Sequence, residues 1–140
     1  MIYLDTSVAV SLLVPEPKTA DVKTWFAGLN DVAVGSDWLI SEFASAISIK
    51  MRARELTESA ARSVRTEFKA LQEGGLRMLP VSRAAFQKAA ELATQHKHGL
   101  RAGDALHLAV ALEIGANSIA TLDSLIVTNA RRLKLSVEVI

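Results

Sequence analysis

Short apolar segments alternate with helix-length segments along this chain, and this alternation constrains the fold more than any other sequence feature. The first apolar segment is Ile2–Leu4, and others follow at residues 32–34, 77–81, 118–121 and 137–140. Neighbouring parallel strands need a long crossover connection, which is usually a helix. Strands that are apolar throughout indicate a sheet covered on both faces. We therefore predict an α/β fold in which helices cover both faces of a central parallel sheet of four to five short strands.

Helices are predicted where apolar residues recur every three to four positions between a capping residue and a stop signal. Pro15 ends the first of them, Asp37 is the expected N-cap of the third, and Gly115 ends the sixth. The predicted helices cover residues 8–13, 19–29, 37–54, 57–72, 82–95, 102–114 and 123–132. No linker, repeat or low-complexity segment interrupts this pattern. We expect a single domain that spans residues 1–140.

The composition excludes several classes of function. Cysteine is absent, which rules out a disulfide framework, a thiolate zinc site and a thiol nucleophile, and which favours the reducing cytoplasm as the compartment. The chain starts without the features of an export signal. Its most apolar long stretch, residues 105–116, contains His107 and Glu113 and is too short to cross a bilayer, so no membrane span is expected. The net charge is only +1, so any contact with nucleic acid must be made by local basic patches.

Four acids lie at strand ends or on the apolar sides of helices, where a solvated surface residue would not be expected. Asp5 directly follows the first strand, and Asp123 follows the strand predicted at residues 118–121. The carboxyl ends of parallel strands meet at one edge of the sheet, so these two acids are expected to share that edge. Glu42 and Asp104 fall on the apolar sides of their predicted helices. We expect all four carboxylates to point toward one region.

A cluster of buried carboxylates is costly unless a cation lies among them, and no nearby run of Lys or Arg supplies one for each acid. A divalent metal is the simplest explanation, and oxygen ligands favour Mg²⁺ or Mn²⁺. Such ions activate water for attack on a phosphodiester. The alternative is structural: Asp5 and Asp123 cap helices, Asp104 starts a helix, and Glu42 lies at the surface.

The sequences around these acids resemble a known family. They are Ile2-Tyr3-Leu4-Asp5-Thr6-Ser7, Ser41-Glu42-Phe43, Gly103-Asp104-Ala105-Leu106-His107-Leu108-Ala109 and Thr121-Leu122-Asp123. Their order and spacing resemble the PIN domain, in particular the VapC ribonuclease toxins of bacterial and archaeal toxin–antitoxin pairs, over nearly the whole chain. One difference is that the aromatic residue often found shortly after the fourth acid is missing here.

The resemblance implies a function and a set of site residues. Single-strand-specific endonuclease cleavage of RNA is expected, together with inhibition by a cognate antitoxin and assembly as a homodimer. Hydroxyl groups are expected near the acids. The implied metal-binding catalytic acids are Asp5, Glu42, Asp104 and Asp123, and the implied hydroxyl residues are Thr6, Ser7 and Thr121.

Three arginines and one histidine near the acids are further candidates. Arg101, Arg131 and Arg132 are placed to neutralise RNA phosphates, although a solvated surface position explains each of them equally simply. His107 lies one helical turn after Asp104, where a hydrogen bond would orient that carboxylate, or where the ring simply packs without a chemical role.

Two other functions fit parts of the same pattern. An α/β phosphotransfer domain would use Asp5 as its phosphoryl acceptor, but the chain lacks a second acid two residues after Asp5. A catalytically silent PIN-like module would use the same edge to bind RNA or a partner protein.

Overall fold

The chain folds into five short strands and seven α-helices, and the computed structural model describes residues 1–140. The strands are β1 (Ile2–Leu4), β2 (Ala33–Ser36), β3 (Arg77–Leu79), β4 (Ser118–Ala120) and β5 (Ser136–Val137). The helices are α1 (Thr6–Leu13), α2 (Thr19–Ala27), α3 (Asp37–Arg52), α4 (Glu58–Gly74), α5 (Arg83–Thr94), α6 (Ala102–Glu113) and α7 (Ser124–Arg132). None of these helices has the length and apolar character needed to cross a bilayer.

All five strands pair in parallel, in the order β3-β2-β1-β4-β5. β1 is central, because Ile2 pairs with Ala33 of β2 on one side and with Ser118 of β4 on the other. The chain adds β2 and β3 on one side of β1 and then crosses to add β4 and β5 on the other. The strand order therefore reverses between β1 and β4, and ligands of open parallel sheets bind at the carboxyl ends beside such a reversal.

Helices cover both faces of this sheet, each over its own apolar core, which confirms the predicted fold class. Side chains alternate along β1, so Ile2 and Leu4 enter one core and Tyr3 enters the other. Helices α1 to α4 contribute to the first core, in which Phe43 and Phe68 stack with ring centroids 3.8 Å apart. Helices α5 to α7 contribute to the second core. The carboxyl ends of the strands are thus held between two packed layers.

Helices α4 and α6 bury different fractions of their surface. The buried residues of α4 are Ala61, Val64 and Phe68, which are spaced as on one face of an amphipathic helix. In α6, by contrast, every residue from 105 to 111 is buried. This helix lies within the second core, and its N-terminal turn reaches the carboxyl edge of the sheet.

The final strand is shorter than predicted. We expected residues 137–140 to form it, but β5 comprises only Ser136–Val137. Its neighbour β4 has three residues, so there is little edge left to extend along. Beyond Val137 a single bond continues the pairing, from Glu138 N to Ile119 O at 2.9 Å. The prediction for residues 138–140 was wrong because it did not take the length of the partner strand into account.

Other boundaries shift by a few residues for local reasons. β3 ends at Leu79 instead of residue 81 because Pro80 has no N–H to donate to a neighbouring strand. β2 continues to Ser36, which makes Ser36 the N-cap of α3 and Asp37 its first residue, not its cap. Helix α1 begins two residues earlier than predicted because Asp5 caps it.

Candidate active site

Asp5 lies at the end of β1 and is almost completely buried, with 1% of its surface exposed. Its Oδ1 accepts hydrogen bonds from Val8 N at 3.2 Å and Ser7 Oγ at 2.6 Å, and its Oδ2 accepts one from Thr121 Oγ1 at 2.6 Å. Burial raises the pKa of Asp5, while the nearby His107 and these hydrogen bonds oppose that rise. Asp5 therefore caps α1. Its hydrogen bonds and the nearby His107 do not fully offset the cost of burying the negative charge of its carboxylate.

Two hydroxyl groups join the ends of β1 and β4. Thr121 Oγ1 donates to Asp5 and accepts a bond from Asp123 N at 3.0 Å. Ser7 Oγ likewise donates to Asp5 and accepts a bond from Leu122 N at 2.8 Å. These bonds connect the loop that carries Asp123 to the first acid, so the two strand ends form one edge of the site.

Asp123 is exposed and caps α7. Its Oδ1 accepts from Leu125 N at 2.7 Å and from Ile126 N at 3.1 Å. Both bonds fall on the same oxygen, so Oδ2 is not used by the cap. The capping interpretation of Asp123 is therefore correct, and it leaves one carboxylate oxygen for another partner.

Glu42 projects from α3 and is half-buried. Its Oε2 accepts a hydrogen bond from Thr6 Oγ1. The same oxygen lies 2.7 Å from His107 Nε2. Burial by itself raises the pKa of Glu42, but the contacts with His107 and Thr6 outweigh burial and hold the pKa below its usual range. Glu42 is thus held on the inner side of its helix and is not a freely solvated residue.

Asp104 lies in the first turn of α6 and is partly buried. Its Oδ2 accepts a long hydrogen bond of 3.4 Å from Arg101 N. Burial raises the pKa of Asp104; the bond from Arg101 opposes this rise, and the negative charges of Asp123 and Glu42 add to it. Asp104 is therefore close enough to Asp123 and Glu42 for their charges to affect it.

Gly103 allows Glu42 and the start of α6 to approach each other closely. A Cβ at position 103 would collide with Glu42 Oε1 and would lie 3.4 Å from the indole Nε1 of Trp38. That indole nitrogen is buried and has no hydrogen-bond partner. A side chain larger than hydrogen at this position would push the carboxylate away from the site.

His107 is packed as one of its two interpretations expected, but its polar partners were not predicted from the sequence. No bond to Asp104 is formed; Nε2 contacts Glu42 at 2.7 Å and Thr6 Oγ1 at 3.1 Å, and Nδ1 contacts Tyr3 Oη at 2.9 Å. The ring is 1% exposed. The only sequence signal was a histidine within an apolar helix, which does not reveal a partner 65 residues earlier in the chain.

The charge balance and the donor atoms of the cluster fit a hard cation. None of the ion pairs in the protein joins a Lys or Arg to any of the four acids. Carboxylate and hydroxyl oxygens are the ligands that Mg²⁺ and Mn²⁺ prefer. In their present positions, however, no three His, Asp or Glu side chains are grouped closely enough to hold a metal ion.

The three candidate arginines differ in their surroundings. Arg101 and Arg131 are exposed and make no ion pair. The guanidinium of Arg132 is already hydrogen-bonded to other residues of the protein, because it donates to Asn129 Oδ1 and Gln95 Oε1, at 3.2 Å in each case. Arg132 therefore connects α7 to the end of α5, and Arg101 and Arg131 are the freer cations.

The geometry argues against phosphotransfer to Asp5. Both oxygens of this carboxylate accept hydrogen bonds from the protein, and almost none of the residue is exposed. A phosphoryl acceptor needs an accessible oxygen with room for the incoming group.

These features define an α/β protein with an acidic site where the strand order of a parallel sheet reverses. The model of the PIN domain matches residues 2–131, and the chain belongs to this family. No curated protein matches the chain significantly.

Solved structures with the same fold include one that is described as a toxin. The chain is similar to VapC20 of Mycobacterium tuberculosis, described as a Sarcin-Ricin loop cleaving toxin, with 19% identity, a TM-score of 0.74, and coverage of 92% of this chain and 95% of that one. It is also similar to FitAcB of Neisseria gonorrhoeae (22% identity, TM-score 0.74, coverage of 98% and 96%). VapBC2 of Rickettsia felis, bound to a promoter DNA fragment, matches with 16% identity, a TM-score of 0.65 and coverage of 99% and 98%. At these identities the similarity establishes the fold.

Proposed function

We propose that this protein is a metal-dependent endoribonuclease that acts as the toxin of a toxin–antitoxin pair. The observation that carries this proposal is that four acids lie on elements that meet at the carboxyl edge of the sheet, and none of them pairs with a Lys or Arg. Membership of the PIN domain family and the shared fold with a toxin described as Sarcin-Ricin loop cleaving support it.

In this proposal Asp5, Glu42, Asp104 and Asp123 hold Mg²⁺ or Mn²⁺. When bound there, such an ion would lower the pKa of a coordinated water and would offset negative charge on the phosphate. The hydroxyl groups of Thr6, Ser7 and Thr121 keep the acids in place through the hydrogen bonds described above.

RNA binding is assigned to the basic residues beside the acids. Arg101 precedes the turn that carries Asp104, and Arg131 lies at the end of α7. Both are exposed, so each guanidinium is free to contact a phosphate of single-stranded RNA. Arg132 has a smaller part in this assignment because Asn129 and Gln95 already bind it.

The partners in this proposal are a cognate antitoxin and a second copy of the chain. The similar structures named FitAB and VapBC2, each bound to DNA, support the assignment of an antitoxin.

RNA cleavage by the purified protein tests the activity. We expect cleavage of single-stranded RNA with Mg²⁺ or Mn²⁺ and none in excess chelator. Asp104→Asn should abolish cleavage while the thermal unfolding temperature is retained. The matched control is Asp21→Asn, since Asp21 is an exposed acid that pairs only with Lys18 at 3.3 Å. Undiminished cleavage by Asp104→Asn would refute the assignment of the site.

The same assay distinguishes the nuclease from a catalytically silent PIN-like module that only binds RNA. Binding of RNA in chelator, with no cleavage under any divalent metal, would replace the nuclease proposal with a binding function. Cleavage ends mapped in total RNA after brief expression, with Asp5→Asn as the inactive control, would then identify the substrate of an active enzyme.

A further inference from the structure

A chain of buried polar groups runs from β2 through β1 and α6 to Glu42. Ser36 Oγ and Tyr3 Oη are 2.8 Å apart, Tyr3 Oη and His107 Nδ1 are 2.9 Å apart, and His107 Nε2 and Glu42 Oε2 are 2.7 Å apart. Ser36, Tyr3 and His107 are each no more than 1% exposed.

Two proton arrangements satisfy every contact in this chain, and they agree at Nε2. In the neutral ring with its proton on Nε2, Nδ1 accepts from Tyr3 and the Tyr3 oxygen accepts from Ser36. In the doubly protonated ring, Nδ1 donates to Tyr3 and Tyr3 donates to Ser36. In both arrangements Nε2 donates to Glu42, and the contact with Tyr3 fixes the orientation of the imidazole.

The contact matters because a glutamate side chain is flexible. Ordering such a side chain costs about 1.5–2 kcal/mol of conformational entropy. Bonds from His107 and Thr6 to one charged oxygen are of the stronger, charge-assisted kind. Both fall on Oε2, while Oε1 lies against Gly103 and beside the Trp38 indole. The carboxylate is therefore held in one orientation, with Oε1 directed toward the start of α6.

We propose that His107 is a positioning residue of the active site, which acts by holding the Glu42 carboxylate in the orientation needed to bind the metal. This inference rests on the proposed function. In this role His107 orients the carboxylate of Glu42 and not that of Asp104, and its ring does not contact the substrate. Partners that orient a metal ligand in this way typically contribute about 10- to 100-fold to metal affinity.

Two substitutions test the roles of the two ring nitrogens separately. His107→Gln places an amide nitrogen near the position of Nε2 and preserves a donor to Glu42. His107→Asn places its amide near Nδ1 and preserves the contact with Tyr3 but not the one with Glu42. Both put a neutral amide in the same buried place, so their effects on folding are similar. A structural role alone predicts similar metal affinity in the two variants.

The measurement is calorimetric titration with Mn²⁺, together with RNA cleavage. We expect His107→Asn to weaken Mn²⁺ binding by about 10- to 100-fold and His107→Gln to weaken it by less than about tenfold. In a Glu42→Gln background the further loss caused by His107→Asn should disappear, because the ring acts through that carboxylate. Equal Mn²⁺ affinity in His107→Asn and the wild type would overturn the inference, as would an equal loss in both variants.

The wild-type protein distinguishes this inference from the proposed function. If the wild type neither binds Mn²⁺ nor cleaves RNA, the proposed function fails. If it does both and the two His107 variants behave alike, only the positioning role fails. Should both variants unfold, Tyr3→Phe supplies the test, since it removes the hydroxyl that orients Nδ1 and keeps the aromatic ring. A tenfold loss of Mn²⁺ affinity in Tyr3→Phe supports the inference, and an unchanged affinity contradicts it.

Discussion

Replacing Gly103 with alanine tests how closely Glu42 approaches α6. The backbone of Gly103 is not in the left-handed region, so alanine is compatible with its conformation. The added Cβ would nevertheless collide with Glu42 Oε1. Because that atom is the end of a flexible side chain, the carboxylate can move away, but it then loses its contacts with His107 and Thr6.

The expected magnitude is a balance of two effects. Hydrogen bonds to a charged group contribute about 1.5–3 kcal/mol each when buried, and less here because Glu42 is partly exposed. Alanine in place of glycine within a helix returns up to about 1 kcal/mol. We expect Gly103→Ala to lower the free energy of unfolding by about 1–2 kcal/mol, which corresponds to about 3–6 °C in Tm. Under the proposed function, RNA cleavage should fall by more than about tenfold, as for a displaced metal ligand.

Urea denaturation with a matched glycine is the assay. Gly74 ends α4, and a Cβ there meets nothing within 4 Å, so Gly74→Ala should be neutral or stabilising by up to about 1 kcal/mol. In a Glu42→Ala background the obstacle is gone, and Gly103→Ala should then behave like Gly74→Ala. If Gly103→Ala is harmless in the wild type, or equally harmful in both backgrounds, the close approach of Glu42 is not what requires glycine.

Three further predictions concern metal binding, pH and the C-terminal segment. Mn²⁺ at 100 times its Kd should stabilise the wild type by about 2.7 kcal/mol, or about 8 °C in Tm, and Asp5→Asn should lose most of this gain in a thermal scan. In chelator, the raised pKa of Asp5 means that the folded protein binds a proton more tightly than the unfolded chain. The free energy of unfolding should therefore fall as pH rises from about 4 through the raised pKa, and urea denaturation across that range should show a flatter profile for Asp5→Asn. Glu138→Ala should cost about 1–3 kcal/mol in urea denaturation because Trp25 Nε1 and Ser118 Oγ lose their acceptor, whereas Glu138→Gln should cost less.

Sequence reasoning was most successful where the signal is local. The order of strands and helices follows from apolar periodicity and from stop residues such as Pro15. The placement of Asp5 and Asp123 at one edge follows from the parallel sheet, since Asp5 directly follows β1 and Asp123 comes three residues after the end of β4. Capping and site roles were treated as alternatives, yet both acids cap a helix while they lie at that edge. A capping bond uses one carboxylate oxygen and therefore does not exclude a second role.

The remaining features depend on contacts between distant parts of the chain. The partner of His107 could not be deduced from helical spacing, because Glu42 lies on another helix and Tyr3 on a strand. The need for glycine at position 103 likewise depends on a carboxylate 61 positions earlier in the sequence. The length of β5 depends on β4, which the periodicity of residues 137–140 does not reveal.

The burial of Asp5 connects the stability of the protein to its proposed activity. The side chain accepts three hydrogen bonds from the protein, yet burial still raises its pKa, so these bonds do not fully replace the water that a carboxylate loses on folding. Asp104 has the same imbalance, increased by the charges of Asp123 and Glu42. At position 104 an asparagine would keep the single acceptor oxygen that Arg101 N uses and would carry no charge. The uncompensated charge is therefore expected to lower the stability of the metal-free protein, and binding of a cation would recover that loss at the site where the chemistry takes place.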